Sequence, residues 1–332
     1  MKQKNSLLAE RVYLKLGTGC NLHCKYCHAE SNSIQFNPAI LPVLRGLPLK
    51  FLAFGGGEPL LYWNYIKMTA EYLGKDIRYR IVTNGTMFTH EIVDFFNAYN
   101  FYVFISLDGL HSTRDNSKPI RWDLIRKLRH SGTAVTFYRE NANIRATLES
   151  LNTLKSRYLT FPPIIYSSFP NFVHSTAGTG KISDRQLADS YIAQVSKILE
   201  EAFVLFKQGQ STGFIESAFM RFVQNHDYDG IHCANAKYFP LLADGTICSC
   251  PYTFDKIGDI FHLDDIDWDA VRQKYSRPQC SSCKLFSICG NSCCMNITDD
   301  ECYIMRKLNQ VMLHYMDMYD VSYDELDKAS KS

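Results

Sequence analysis

A stretch of 205 residues without cysteine divides the twelve cysteines of this chain into two groups. Cys20, Cys24 and Cys27 stand near the N-terminus, and the other nine lie between Cys233 and Cys302. Two tight groups set apart in this way point to metal sites in two regions of the fold. Twelve cysteines in 332 residues is also far below the density of a small disulfide scaffold. Hydrophobic residues make up 46% and charged residues 21%, values that exclude a disordered or fibrous chain. At about 150 residues per domain, the length accommodates roughly two domains. A formal net charge of +2 gives no electrostatic case for nucleic acid or an anionic membrane as partner. No apolar run approaches the roughly eighteen residues of a membrane span, and no signal-peptide block is present at the start. The expected compartment is therefore the cytoplasm, where thiols stay reduced.

The first half alternates strand-like and helix-like runs. Strands are expected at Arg11–Leu16, Lys50–Phe54, Ile77–Val82 and Phe101–Leu107, each running into a glycine-containing polar loop. Helix-period spacing covers Tyr62–Leu73 and His90–Tyr99, the second behind the capping-type Thr89. A fifth strand is placed at Ala134–Arg139 with a helix over about 143–157, in preference to a strand at Ile144–Leu148. A sixth is placed at Ile164–Phe169, between prolines. Residues 171–180 read as a linker, and helices are expected over about 184–208 and 300–318. The alternation argues for a parallel α/β sheet or barrel, a fold that builds its sites on the carboxyl-end loops of the strands.

Cys20, Cys24 and Cys27 have the spacing C-x3-C-x2-C. A small zinc site would need a fourth ligand, which only His23 or His28 supplies nearby. The functional alternative is a [4Fe–4S] cluster held by three thiolates, with one iron open to a substrate or cosubstrate. At this point the chain resembles the radical S-adenosylmethionine (SAM) enzymes, whose signature has this spacing with an aromatic residue, here Tyr26, before the third cysteine. Gly56-Gly57-Glu58-Pro59 after the second strand resembles the family's glycine-rich loop, whose backbone approaches the methionine amino group of the cosubstrate. Glycine suits such an approach because a Cβ would block it. Thr83-Asn84-Gly85 and Ser106-Leu107-Asp108-Gly109 resemble the family's third and fourth strand ends, the latter contacting the ribose. Arg139 and Arg145 lie near the fifth strand end, where relatives anchor the cosubstrate carboxylate; plain surface arginines are the alternative. The resemblance implies a partial (βα)6 TIM-type barrel.

The second group reads Cys233-x11-Gly245-x4-Cys250, then Cys280-x2-Cys283-x5-Cys289-x3-Cys293, then Cys302. It resembles the seven-cysteine SPASM domain, which holds two auxiliary [4Fe–4S] clusters, and this implies a small cysteine-rich α+β iron–sulfur domain with a C-terminal helix. By the resemblance, Cys280, Cys283, Cys289 and Cys302 hold the distal cluster, and Cys233, Cys250 and Cys293 the nearer one. The nearer cluster then has an open iron, or Cys248 closes it. Cys294 is read as a buried thiol. Domain boundaries follow at 1–180 for the barrel, 181–229 for a helical bridge and 230–332 for the auxiliary domain.

The implied cofactors are SAM and three [4Fe–4S] clusters, and the implied chemistry is hydrogen abstraction by a 5′-deoxyadenosyl radical. The favoured substrate is a ribosomally made peptide or small protein, modified by a crosslink or thioether. A separate leader-recognition protein is a candidate partner, because the first barrel strand begins too early for an N-terminal recognition domain. A flavodoxin- or ferredoxin-type electron donor is also expected. The alternatives are sulfatase maturation or small-molecule dehydrogenation on the same architecture and, outside enzymes, an iron–sulfur electron carrier. Of Tyr13 and Lys15 on the first strand, at most one is expected to face the barrel interior. His111 and Asp115 are candidate substrate contacts or solvated loop residues. No general acid or base is assigned.

Overall fold

The computed structural model describes residues 9–24, 27, 34–107, 115, 117–134, 143–147, 149–151, 185–210, 237–250, 255–275, 299–322 and 324–326. In chain order, β1 (Arg11–Lys15) is followed by α1 (Ile40–Gly46), β2 (Phe51–Gly55) and α2 (Trp63–Leu73), which a 3-10 turn at Pro59–Tyr62 precedes. Next come β3 (Arg78–Thr83), α3 (His90–Ala98), β4 (Tyr102–Ser106), the short α4 (Trp122–Ile125) and β5 (Ser131–Ala134). After α5 (Arg185–Lys207), the chain forms β6 (Tyr238–Leu242), β7 (Thr246–Cys248), β8 (Lys256–Asp259), α6 (Trp268–Tyr275) and α7 (Asp299–Met318). One open eight-stranded sheet has the order β5-β4-β3-β2-β1-β6-β7-β8. Strands β5 to β1 and β6 run parallel, and β7 and β8 add an antiparallel hairpin. The expected α/β architecture is present as a partial, unclosed barrel.

The first four strands and helices α2, α3, α5 and α7 form where hydrophobic periodicity placed them. Thr89 caps α3 as expected, its hydroxyl accepting the Ile92 N–H at 3.3 Å. The fifth strand begins three residues earlier than expected, at Ser131, and only Ala134 is common to both ranges. Its four residues, Ser-Gly-Thr-Ala, are small and all buried, so no apolar alternation marks it. The remainder of the expected fifth strand, the sixth strand and residues 171–180 lie outside the described residues. Residues 144–147 and 149–151 are helical.

Alternation along the strands separates two faces. On one, Val12, Leu14, Leu52, Phe54, Tyr79, Ile81, Val103 and Ile105 are buried under the helices. Tyr79 and Phe101 stack at 4.9 Å, and Phe101 and Phe96 at 4.3 Å. Each such aromatic stabilises the fold by about 1.5–3 kcal/mol through burial alone. The Tyr79 hydroxyl donates to the Gly74 carbonyl at 2.6 Å, so its polar tip is not orphaned. The other face carries Tyr13 and Lys15, which lie two residues apart and therefore point the same way. That corrects the expectation that they diverge. Register aligns Tyr13 with Ala53 and Pro240, and Lys15 with Gly55 and Leu242. A Cβ at Gly55 would overlap the Tyr13 phenol, which leans across this face.

Helices α5 and α7 pack on each other. Val195, Leu199 and Phe203 of α5 are buried, as are Ile304, Leu308, Met312 and Met316 of α7. The Tyr303 hydroxyl donates to Asp189 at 2.8 Å, and the Arg185 guanidinium lies 3.8 Å over the Tyr303 ring.

Candidate functional site

Four consecutive parallel strands deliver their carboxyl-end loops to one edge of the sheet. The β1 loop carries Cys20, Cys24 and Cys27; the β2 loop carries Gly56-Gly57-Glu58; the β3 loop carries Thr83-Asn84-Gly85; and Ser106 ends β4.

The β1 and β2 loops are fused through their backbones. Gly57 N donates to Gly17 O at 3.2 Å, and Glu58 N donates to Gly19 O at 2.8 Å. A Cβ at Gly57 would overlap the Gly19 and Thr18 carbonyl oxygens. Gly56 has φ +151°, and a Cβ there would overlap the Gly17 carbonyl. Tyr62 secures the same junction from outside, since its hydroxyl accepts the Gly19 N–H at 3.0 Å. The missing side chains of Gly56 and Gly57 are what let the β1 and β2 loop backbones approach this closely.

Glu58 turns inward and is buried. Its carboxylate accepts the Thr83 hydroxyl at 2.6 Å, the Asn84 N–H at 2.7 Å and the Leu60 N–H at 3.0 Å. The side chain thereby joins the β2 and β3 loops. Asn84 carries the connection onward: its amide donates to Asn21 Oδ1 at 2.7 Å and reaches Cys20 Sγ at 4.0 Å. Asn21 donates to Thr86 Oγ1 at 2.9 Å, and Thr86 donates back to Asn84 Oδ1 through both its N–H, at 3.0 Å, and its hydroxyl, at 2.7 Å.

The three thiols are not disulfide-bonded; Cys20 and Cys24 are half-buried and Cys27 is exposed. Burial pushes the Cys20 thiol up, with smaller contributions from Glu58, Cys27 and Cys24 nearby. A cationic metal centre bound by these sulfurs would reverse that balance and hold all three as thiolates. N–H groups already face the sulfurs: the Asn84 amide and the Leu22 backbone N–H at Cys20, and the Asp115 backbone N–H, 3.3 Å from Cys24 Sγ. Asp115 also accepts the His23 N–H at 2.7 Å, and bonds from Ser117 and then His23 hold its carboxyl down at about 2. Donors directed at sulfur suit thiolate ligands of an iron–sulfur cluster, so these residues fit such a group.

Of the other expected site residues, Ser106 sits half-buried at the end of β4, on the same face as Lys15 and Gly55 by register. Arg145 is exposed and pairs with Glu201 of α5 at 2.5 Å. Tyr26, Asp108 and Arg139 lie outside the described residues, as do Cys233, Cys280, Cys283, Cys289 and Cys293. Cys248 and Cys250 are buried, and Cys302 is half-buried on α7. Among the described residues no group of three or more metal-ligating side chains is gathered around one point. Sequence reasoning did not single out Asn21, Tyr62 or Thr86, which act through cross-loop bonds that have no local pattern.

Residues 14–142 match the Radical SAM superfamily. This segment is a radical SAM domain. The match begins in β1 and takes in the first cysteine group and all four loops described above. Among curated proteins, the serine-type anaerobic sulfatase-maturating enzyme of Klebsiella aerogenes is 22% identical over 324 residues, covering 84% of this chain and 78% of that protein. Other curated relatives match over less of themselves, three of them over 46%, 28% and 30% of their own length. Among solved structures, native anSMEcpe with bound AdoMet and Cp18Cys peptide superposes with a TM-score of 0.65 at 16% identity, covering 93% of this chain and 98% of that one. Streptococcus suis SuiB bound to precursor peptide SuiA gives 0.58 at 15% identity, covering 86% and 72%. These two share the fold of the present chain.

Proposed function

We propose that this chain is a radical SAM enzyme that modifies a side chain of a peptide or small protein. The observation that carries the reading is the interlock of the Gly56-Gly57 cradle with the backbone of the Cys20–Cys27 loop, inside a radical SAM domain. Cys20, Cys24 and Cys27 would hold a [4Fe–4S] cluster, with Tyr26 beside the third ligand. SAM would lie against Gly56 and Gly57, with Thr83, Asn84, Ser106, Asp108, Arg139 and Arg145 as further contacts. When bound, cluster and cosubstrate supply a 5′-deoxyadenosyl radical that takes a hydrogen atom from the substrate.

This chain's own residues do the positioning. Glu58 fixes the β2 loop to the β3 loop, and the Asn84–Asn21–Thr86 bonds fix the β3 loop to the cysteine loop. With its carboxylate committed to three protein donors, Glu58 shapes the cradle through its backbone. The helices cover one face of the sheet, and substrate would approach from the other, where Ser106 is half-buried and Lys15 is buried.

The peptide class is supported by the two similar structures, one bound to Cp18Cys peptide and the other to precursor peptide SuiA. Maturation of a ribosomal peptide by crosslink or thioether formation is the favoured form. Sulfatase maturation is the second reading, favoured by the Klebsiella relative that aligns over most of both chains. Cys280, Cys283, Cys289 and Cys302 would hold one auxiliary cluster, and Cys233, Cys250 and Cys293, with Cys248 as candidate closing ligand, another. A flavodoxin- or ferredoxin-type donor would supply the electron.

The test is anaerobic reconstitution with iron and sulfide, addition of SAM and a reductant, and measurement of methionine and 5′-deoxyadenosine. Release by the wild type and none by Cys24→Ala is expected. Release unchanged in Cys24→Ala would remove the assignment of the first cluster.

A further inference from the structure

Asp115 follows β4 and lies 91 residues from Cys24 in sequence, yet it is bonded to the cysteine loop twice. Its backbone N–H donates to Cys24 Sγ at 3.3 Å, and its Oδ2 accepts the N–H of the neighbouring His23 at 2.7 Å. The second carboxylate oxygen, Oδ1, accepts the Ser117 N–H at 2.8 Å, which fixes the direction of the first. A merely solvated loop aspartate has no reason to present both its main chain and its side chain to the same two residues. The arrangement clamps the His23–Cys24 peptide from across the site and aims a donor at the middle cysteine of the three.

We propose that Asp115 is a positioning residue for the cluster-binding loop, holding Cys24 in its ligating place and donating to its sulfur. The proposal rests on the reading of Cys20, Cys24 and Cys27 as cluster ligands. Two effects follow from the geometry. Outer partners that orient metal ligands typically change metal affinity by about 10- to 100-fold when removed. Hydrogen bonds to cluster sulfurs and nearby charge also set the reduction potential. The anionic carboxylate next to the cysteine loop disfavours addition of an electron, so neutralising it moves the potential upward.

The experiment uses the full chain, reconstituted anaerobically with iron and sulfide. The part of the electron paramagnetic resonance spectrum that changes on adding SAM marks the cluster at the first cysteine group. If wild-type protein shows no such signal, the reading of that group falls, and the proposal with it. Asp115→Ala is expected to lose the signal to an iron chelator at least about 10-fold faster than wild type, with an unchanged urea midpoint. Asp115→Asn keeps the shape and an acceptor for the His23 N–H; it is expected to hold its iron at the wild-type rate with a potential shifted upward. Iron loss from Asp115→Ala at the wild-type rate overturns the role of Asp115 alone, leaving the cluster assignment intact. Should Asp115→Ala not fold, an unshifted potential in Asp115→Asn overturns it equally.

Discussion

The Glu58 carboxylate accepts the Asn84 backbone N–H at 2.7 Å, with Glu58 buried to 1% exposure. It ties together the β2 and β3 loops, on one side of the first cysteine group, and it does so with a charged acceptor out of water. Hydrogen bonds to charged groups contribute about 1.5–3 kcal/mol, and a buried donor left unpaired costs about 1–3 kcal/mol.

Glu58→Gln replaces one acceptor oxygen with an amide that cannot serve all three donors. The expected loss is about 2 kcal/mol of unfolding free energy, read from urea titration. Glu58→Ala strands the Leu60 and Asn84 N–H groups together and should cost more than the glutamine variant. Equal stability of wild type and Glu58→Ala would show that the brace contributes nothing.

Gly57→Ala places a methyl group on the Gly19 and Thr18 carbonyls, which are backbone and cannot swing aside. The β1 loop must move, and Cys20 moves with it. The variant should fold yet lose the first cluster on reconstitution. Gly46→Ala is the matched control, because a Cβ there meets nothing within 4 Å. In the last turn of α1 it should be neutral or stabilising by up to about 1 kcal/mol. Iron content and urea midpoints of the two variants decide the point.

Particular residues show what could be read from sequence and what could not. Strands β1 to β4 announce themselves because one face is packed by large apolar residues such as Leu14, Phe54 and Ile81. Strand β5, Ser-Gly-Thr-Ala, is buried throughout by small residues, and burial without bulk leaves no periodic signal. Pro240 argues against a strand at β6, since proline removes a ladder donor. Yet β6 lies between β1 and β7, and its ladder to β7 shows a single registered pair, Leu241 with Ile247. The cysteine spacing and the glycine loop were legible because cluster ligation and close backbone approach each demand a residue type at a fixed place. Asn21, Thr86 and Asp115 were not legible as a frame, because many polar residues can donate or accept and only the fold brings these loops together.

Cys248 gives a test of accessibility. Burial pushes its thiol up to about 12, with Asp244 adding to the rise and Lys15 opposing it. At pH 8 almost none of it is thiolate, and the thiolate is the reacting form. In the metal-free native chain, Cys27 should be alkylated rapidly and Cys248 only on unfolding, as measured by peptide mass after timed labelling. Labelling of Cys248 at the rate of Cys27 would place it at the surface, against the fold. After reconstitution, Cys24 and Cys27 should become protected as well.

Cys302 separates the two roles proposed for iron in this chain. It lies in the first turn of α7, which is fixed to α5 by Ile304, Leu308, Met312 and Met316. The helix therefore holds this cysteine in place whether or not metal is bound, and Cys302→Ala removes one proposed ligand without disturbing the radical SAM domain. If it ligates an auxiliary cluster, the variant should reconstitute with about four fewer irons per chain. It should still release 5′-deoxyadenosine from SAM, because Cys20, Cys24 and Cys27 are untouched, while turnover of the peptide substrate fails. Cys20→Ala should show the opposite pattern, keeping auxiliary iron and losing 5′-deoxyadenosine. Full iron content in Cys302→Ala would remove it from the ligand set, and loss of 5′-deoxyadenosine together with the iron would mean that the two regions do not load independently.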